Sequence, residues 1–410
     1  MKKQSIIYLL ILLSSTIIGF WAIPFFVQKA TDTRNDYPFM YYSSLLRDFC
    51  FIDFVNKEFP MYDRNGNTYT QAQFDSLLPM LNFRQLIIDG NLPDSIDGHK
   101  IDGPLIRMKN VIYRYHPESF LAPETGLYIM YEAMPKRVNG ETPQDMFRFT
   151  DRIEFIDIKS NTTDVQKSAV FQKAIEKAGY SFPAQWISGN MNPMKAYDEG
   201  YFSLDSKGEL FHIKMVNGRP FVRNTHLGEK IKIAHFSMTE VADMRFYGFL
   251  FDTEGFTYIL EEDSGKYKPL KLDMDALNLK NDEMLVMGNL LYWTITVTRP
   301  NRLSCYALKT ETLEQVAKHE IKSTPDRWDF TAKWMFPLFL TFEHSNTNYI
   351  YPKIIFTGYS FLPVHILLAF LILFFVPNTK KEKRLFAGYI LFTGIVGLLA
   401  LFLLPGFRNK

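Results

Sequence analysis

GYFSLDSKGELFHIKM (residues 200–215) and FYGFLFDTEGFTYIL (residues 246–260) are the stretches on which the fold turns. Each reads as an apolar strand, a polar turn and a second apolar strand. Each is then followed by a further turn, Asn217-Gly218 in the first and Ser264-Gly265 in the second. The inner turns share one pattern, Asp205-x-x-Gly208 and Asp252-x-x-Gly255, 47 residues apart. Aromatic-rich runs bounded by Gly, Asn, Asp and Ser are hairpin signals. A third, divergent copy is expected from Leu290 to Leu308, turning at Arg299-Pro300-Asn301-Arg302. A hairpin repeat of about 45 residues has the length of one propeller blade, and radial repetition shields strand edges from open pairing. From residue 84 onward, roughly 270 residues would hold about five to seven such units. The expected fold is a mainly β, propeller-like domain, with an irregular β-sandwich as the alternative.

Upstream of the repeat, strands are expected at Arg84–Asp89, Leu105–Tyr115, Gly126–Ala133 and Arg152–Ile158. A helix is expected at Asp164–Ala178, capped by Thr163 and ended by Gly179. A shorter one is expected at Thr70–Leu78, capped by Thr70 and stopped by Pro79. Asn65-Gly66 is a further turn signal. Aromatic residues concentrate in 37–62 and 327–352, a placement that suits a membrane–water interface.

Three apolar runs are long enough to cross a bilayer: Ile6–Phe26, Ile354–Val376 and Leu385–Leu404. Trp21, Pro24, Phe25 and Phe26 stand where a signal peptide would need small residues, so the first run reads as an uncleaved anchor. Lys2 and Lys3 precede it, and the loop 377–384 carries Lys380, Lys381, Lys383 and Arg384. By the positive-inside rule both face the cytoplasm. The expected order is a cytoplasmic N-terminus (1–5), a span (6–26), an extracytoplasmic β-rich domain (27–353) with a polar linker at Thr31–Asp36, a span (354–376), a basic cytoplasmic loop (377–384), a span (385–404) and an extracytoplasmic tail (405–410). Pro363 is expected to kink the second span, and the last two spans are expected to pack as a hairpin.

The 410 residues carry a net charge of +2 and 16% aromatics. That balance gives no basic stripe for nucleic acid and no acidic tail. Cys50 and Cys305 leave a disulfide open and make a thiolate metal site improbable. There is no G-x-S-x-G, H-E-x-x-H, G-x-x-x-x-G-K-[ST] or G-x-G-x-x-G.

The most distinctive stretch reads Phe182-Pro183-Ala184, Gly189-Asn190, Tyr197-Asp198-Glu199-Gly200-Tyr201-Phe202 and Gly208-x-Leu210-Phe211-His212. It resembles an uncharacterised family of membrane-anchored proteins from Bacteroidetes, a domain of unknown function. The terminal spans fit the same family. The resemblance implies a periplasmic outer domain and an accessory role beside ABC-type transporters, and it carries over no catalytic residue.

The candidate ligand- or partner-binding residues are Asp198, Glu199, His212 and His365. Asp198 and Glu199 are an acidic pair before a strand, and His365 is a titratable group inside an apolar run. A soft-metal set, Met191, Met194 and His212, offers thioether and imidazole ligands that suit copper. Ordinary packing competes with that reading. The leading expectation is a non-enzymatic accessory or sensor protein of the inner membrane, without a cofactor, in contact with the lipid bilayer and a membrane permease. The alternatives are a membrane-tethered hydrolase or lyase and a periplasmic copper-handling module.

Overall fold

Strands buried on both faces dominate residues 37–321. Tyr201–Leu204 is buried at all four positions, and Phe246–Asp252 at all but one. Such strands read as continuous apolar runs because neighbouring layers cover each side of their sheet. The computed structural model describes residues 3–31, 37–54, 56–121, 125–136, 142–323, 327–342, 350–375 and 379–403. The linker at 32–36, Pro377-Asn378 and the tail at 405–410 lie outside the described residues. The chain divides into two compact units, residues 37–321 and residues 1–36 with 322–410.

The described helices are α1 (Lys3–Thr31), α2 (Gln71–Leu77), α3 (Phe83–Ile88), α4 (Gly103–Lys109), α5 (Pro117–Leu121), α6 (Val165–Lys177), α7 (Arg327–Met335), α8 (Leu362–Phe375) and α9 (Lys380–Phe402). In the first unit, among the described residues, five antiparallel sheets of three or more strands follow one another, with a two-stranded sheet of Ser95–Ile96 and His99–Lys100 beside them. Sheet 1 is Phe39–Ser43, Asp48–Ile52, Met61–Asp63 and Thr68–Tyr69; sheet 2 is Asp145–Phe149, Ile153–Asp157 and Thr162–Asp164. Sheet 3 is Trp186–Gly189, Tyr201–Leu204, Leu210–Val216 and Arg219–Asn224. Sheet 4 is Ile233–Met238, Phe246–Asp252, Thr257–Asp263 and Lys266–Lys271. Sheet 5 is Glu283–Gly288, Tyr292–Arg299, Arg302–Lys309 and Gln315–Lys322, with Val111–Tyr115 added beside Glu283–Gly288.

The sheets share cores in series. Phe147 and Phe155 of sheet 2 pack with Tyr201 and Phe211 of sheet 3. Phe202 and Leu210 of sheet 3 pack with Phe236, Leu250 and Leu260 of sheet 4. Phe249, Phe251 and Ile259 of sheet 4 pack with Tyr113, Val286, Trp293 and Ile295 of sheet 5. Leu303, Cys305 and Ala307 of sheet 5 pack with Met40, Tyr42, Phe49 and Phe51 of sheet 1. Each buried side chain of this size contributes about 1.5–3 kcal/mol. Sheets 3 and 4 begin at Trp186 and Ile233, and the four-strand run of sheet 5 at Glu283; the three hairpin copies read from the sequence are Tyr201–Val216, Phe246–Asp263 and Tyr292–Lys309 within them. No core cluster among the described residues joins sheet 1 to sheet 2, so the series is open there.

The shared turn occurs three times. The Asp63 Oδ1 accepts from the N–H groups of Asn65 and Asn67, at 2.9 and 3.0 Å. Asp205 accepts likewise from Lys207 and Glu209, at 2.8 and 2.9 Å, and Asp252 from Glu254 and Phe256, both at 2.9 Å. In each, the N–H of the glycine three residues on returns to the aspartate carbonyl.

Four expectations are corrected. Residues 83–88 form α3, not a strand. The first half of Leu105–Tyr115 is α4, because Asp102 accepts the Leu105 N–H at 2.7 Å and Pro104 lies in the first turn. Gly126–Ala133 makes only isolated bridges, Tyr128 to Phe147 and Glu132 to Met215. The cap of α6 is Asp164, which accepts from the Lys167 N–H at 2.9 Å, in place of Thr163. Cys50 and Cys305 are both free and buried, in different core clusters, and burial pushes each thiol up to about 12.

In the second unit, two helical stretches are long and apolar enough to cross a membrane, Ile6–Thr31 and Lys380–Phe402. The expected span at 354–376 is corrected. Its first residues form strand Lys353–Phe356, paired with Leu338–Thr341. The helix that follows, α8, has 14 residues, about 21 Å against a hydrocarbon core of about 30 Å. Pro363 stands in its first turn, where a missing N–H breaks no helical bond, so it does not kink α8. The α8–α9 pair packs through Ile372, Ile390 and Leu401.

Gly208 and Gly255 occupy the same turn position at φ +85 and +89, but a Cβ on Gly208 meets nothing within 4 Å while one on Gly255 lies 1.9 Å from the Leu277 carbonyl. Gly208→Ala is expected to cost about 1 kcal/mol from backbone strain alone. Gly255→Ala should cost at least twice that. Thermal unfolding of the full-length chain in mild detergent checks the order.

Candidate functional site

Asp198 and Glu199 sit at the mouth of strand Tyr201–Leu204, where sheet 3 meets sheet 4. Their carboxylates turn to different lysines. Asp198 pairs with Lys195 and accepts the Gly200 N–H at 3.2 Å. Glu199 pairs with Lys214 at 2.6 Å. Lys195, half-buried with its side chain 8% exposed, donates also to Glu240 at 3.2 Å and to the Asn190 carbonyl at 2.6 Å. Glu240 accepts from the Glu199 N–H at 2.8 Å and from the Asn190 amide at 2.7 Å. Burial holds the carboxyls of Asp198 and Glu240 above their ordinary values, against the pull of Lys195. The result is a closed ion network that ties the loop 190–199 to residue 240, the end of sheet 4's first hairpin.

His212 lies in the core between these sheets, 1% exposed and stacked on Phe202 at 4.4 Å. Its Nε2 is 2.6 Å from the Glu199 carbonyl, so that nitrogen carries the proton. Nδ1 then accepts from the Tyr267 hydroxyl at 2.7 Å. Both nitrogens are engaged, which leaves none for a metal. Met191 and Met194 stand on the loop after strand Trp186–Gly189, and Met194 is 86% exposed. Among the described residues, no group of three or more His, Cys, Asp or Glu side chains is arranged to hold a metal ion.

Beside the network runs a polar cleft. One pocket of about 480 Å3 is lined by Lys109, Asp243, Arg245, Glu261, Trp293 and Glu311, among others. A second, of about 330 Å3, shares Arg245, Phe246 and Glu262 with it and adds Tyr197, Glu199 and Tyr247. Its walls are braced by ion pairs. Lys109 meets Asp243 at 3.2 Å, and Arg245 meets Glu261 at 2.7 Å while donating to the Thr310 carbonyl at 2.5 Å. Glu262 takes the Tyr247 hydroxyl and Arg223. The buried indole N–H of Trp293 has no partner among the described residues. The arrangement offers a rigid, mainly acidic surface with cations already committed, suited to recognition by hydrogen bonds and charge.

His365 belongs to the other unit and is fully buried. Its Nδ1 is 3.0 Å from the Leu391 carbonyl and its Nε2 is 3.3 Å from the Met335 carbonyl. At Gly394, φ +58 and ψ −138 take α9 out of helical geometry. The break falls three residues after Leu391, whose carbonyl His365 reaches. The residues singled out in the sequence thus fall in three places: Asp198, Glu199 and His212 at one sheet junction, Met191 and Met194 on an exposed loop, and His365 between helices. Lys195, Glu240 and Arg245 were not singled out. The one local hint was the i, i+3 spacing of Lys195 and Asp198.

The chain belongs to the family described as a domain of unknown function, DUF4857, whose model matches residues 39–308. The match opens on the first strand of sheet 1 and ends in sheet 5. No curated protein matches the sequence. Among solved structures the chain is similar to PorZ, described as an essential bacterial surface component of the type-IX secretion system of Porphyromonas gingivalis, at 8% identity and a TM-score of 0.22. That match covers 72% of this chain and 28% of the PorZ chain, and it decides neither fold nor role.

Burial lowers His212 to about 3 and His235 to about 4. Both lie below the unfolded value of about 6.5, so their stabilisation is complete above that pH and is lost as pH falls toward 4 and then 3. Each is expected to remove about 2–3 kcal/mol between pH 6.5 and 4.5. His212→Gln should flatten this acid limb in urea titrations of the full chain; an unchanged slope would show that His212 is not its source. For the helical unit, a Cβ on Gly394 would lie 2.0 Å from His365 Nε2. Gly394→Ala is expected to cost about 2 kcal/mol or more, and adding His365→Ala should restore part of the loss. Melting of the four proteins in detergent, read as a double-mutant cycle, measures that coupling.

Proposed function

We propose that the chain is a membrane-anchored, non-enzymatic accessory or sensor protein whose β unit binds a ligand or partner protein at the polar cleft. The observation that carries this reading is α1. Its stretch Ile6–Thr31 leaves large apolar side chains such as Leu10, Ile17 and Ile18 more than half exposed. That surface is satisfied by lipid. With Lys2 and Lys3 before α1 on the cytoplasmic side, the β unit faces the periplasm of a Bacteroidetes cell and the anchor lies in the inner membrane.

The β unit is propeller-like in this reading. Five sheets in face-to-face series, three of them with four-strand runs beginning at intervals of 47 and 50 residues (186 to 233 to 283), support it. The cleft supports a binding role. It joins two pockets within the size range of small-ligand sites and fixes its charges with ion pairs. The partner suggested by the family resemblance is the permease of an ABC-type transporter.

Affinity purification of the tagged chain from its native membrane in mild detergent tests this. The expected result is reproducible recovery of a permease and its ATPase, reduced by Glu262→Lys in the cleft without loss of the chain from the membrane. Recovery of the chain alone would overturn the accessory reading. Release of the chain by alkaline carbonate, or an intact mass lacking the α1 residues, would overturn the anchor.

A further inference from the structure

We infer that the helical unit holds one bilayer phospholipid with a phosphoethanolamine headgroup, in a groove beside the outer end of α1. This rests on the membrane reading above. Trp21, Phe25 and Gln28 form one stripe of α1 at i, i+4 and i+7. Trp21 and Phe25 belong to the apolar run Ile6–Phe26, and Gln28 stands just past its end. The stripe therefore crosses the boundary between hydrocarbon and headgroups, and Trp is at home there.

Two pockets meet on this stripe. One, of about 330 Å3, is lined by Trp21, Phe25, Leu340, Phe342 and Ile350 and is mostly apolar. The other, of about 470 Å3, is lined by Asp329, Lys333 and Thr357 with Trp328 and Ala332. Gln28, Phe339 and Thr341 line both. The site is thus apolar at the hydrocarbon end and charged at the headgroup end, which is the polarity of an amphiphile. The charged end has one cation and one anion, four residues apart on α7. Neither Asp329 nor Lys333 has an ion-pair partner among the described residues, whereas most charged side chains lining the polar cleft of the β unit are paired. A phosphate with an ammonium two carbons away satisfies both: phosphate oxygens on Lys333, and ammonium on Asp329. An anionic headgroup without an amine would leave Asp329 facing like charge.

Around the groove, the unit presents more lipid-compatible surface. Phe330 of α7 and Ile354 and Phe356 of the hairpin are each more than half exposed. They lie beside α1 in sequence-distant elements that pack through Trp328, Phe336 and Phe339. Aromatic side chains on such a collar hold it at the interface, where lipid headgroups are delivered to the groove by the bilayer itself.

Native mass spectrometry of the full-length chain, purified from membranes and offered equal phosphatidylethanolamine and phosphatidylglycerol, tests the assignment. One retained phosphatidylethanolamine per chain is expected. Gln28→Trp, which fills the neck of the groove, and Lys333→Glu, which repels phosphate, should each lower the retained fraction about tenfold. Both variants must elute and melt as the wild type for that comparison. Retention unchanged in both variants, or phosphatidylglycerol held as well as phosphatidylethanolamine, would overturn the site. A chain that stays in the membrane without a bound lipid overturns the groove alone. A chain released by carbonate overturns the membrane reading and the groove with it.

Discussion

Burial of each sheet on both faces is the constraint from which the rest of the β unit follows. A sheet with one wet face can place polar side chains at every second residue. Sheets 3, 4 and 5 have no such freedom in their middle strands, where Phe202, Phe249, Phe251, Ile295 and Tyr306 are all sealed. Some polar groups in these layers find partners within them, while the Thr257 and Tyr306 hydroxyls and the Trp293 indole N–H have none among the described residues. Ser203 donates to the Trp186 carbonyl at 2.9 Å, and His212 uses both nitrogens. Charge is therefore displaced to the strand ends. The cleft is where those ends gather: Asp243 and Arg245 before Phe246–Asp252, Glu261 and Glu262 closing Thr257–Asp263, Lys109 before Val111–Tyr115, and Glu311 after Arg302–Lys309. The site's position is a consequence of the core's dryness.

The same pressure explains the repeated turn. A hairpin between two buried strands exposes its reversing backbone N–H groups at a point where no strand can accept them. An aspartate at the first position supplies the acceptor within the turn, and a glycine three residues on tolerates the left-handed conformation that closes it. Asp252 and Asp63 go further, each taking a tyrosine hydroxyl on its second oxygen, from Tyr258 at 3.0 Å and Tyr69 at 2.8 Å. DRNGNTY (residues 63–69) and DTEGFTY (residues 252–258) share that arrangement residue by residue. The third occurrence of this turn thus lies in sheet 1, far upstream of the hairpin repeats of sheets 3 to 5.

What was legible follows from range. Periodicity and turn chemistry are local, and they gave the hairpins of sheets 3, 4 and 5, strand Ile153–Asp157, and helices α2 and α6. Residues 84–89 and 105–109 misled because Leu86 and Ile106 are apolar in either state. The deciding terms were Asp102 and Pro104, which start a helix. Val111–Tyr115 joins sheet 5 by pairing with Glu283–Gly288, a contact about 170 residues away that no local pattern encodes. The site divides in the same way. Asp198 and Glu199 were visible as an acidic pair before a strand. Glu240, which binds their loop, comes from the next sheet and carries no sequence mark.

His365 shows how a residue flagged for chemistry can be accounted for by backbone geometry. An ionisable side chain among apolar helices is a functional hypothesis in the absence of a structural one. Here the structural one is specific. Gly394 breaks α9 three residues after Leu391, whose carbonyl lies 3.0 Å from His365 Nδ1. Gly394 also lacks the Cβ that would occupy the place of the imidazole, which approaches to 2.0 Å of where that atom would stand. The break therefore leaves the space that the His365 ring fills. Its second nitrogen faces the Met335 carbonyl at the end of α7, so one ring connects α7, α8 and α9.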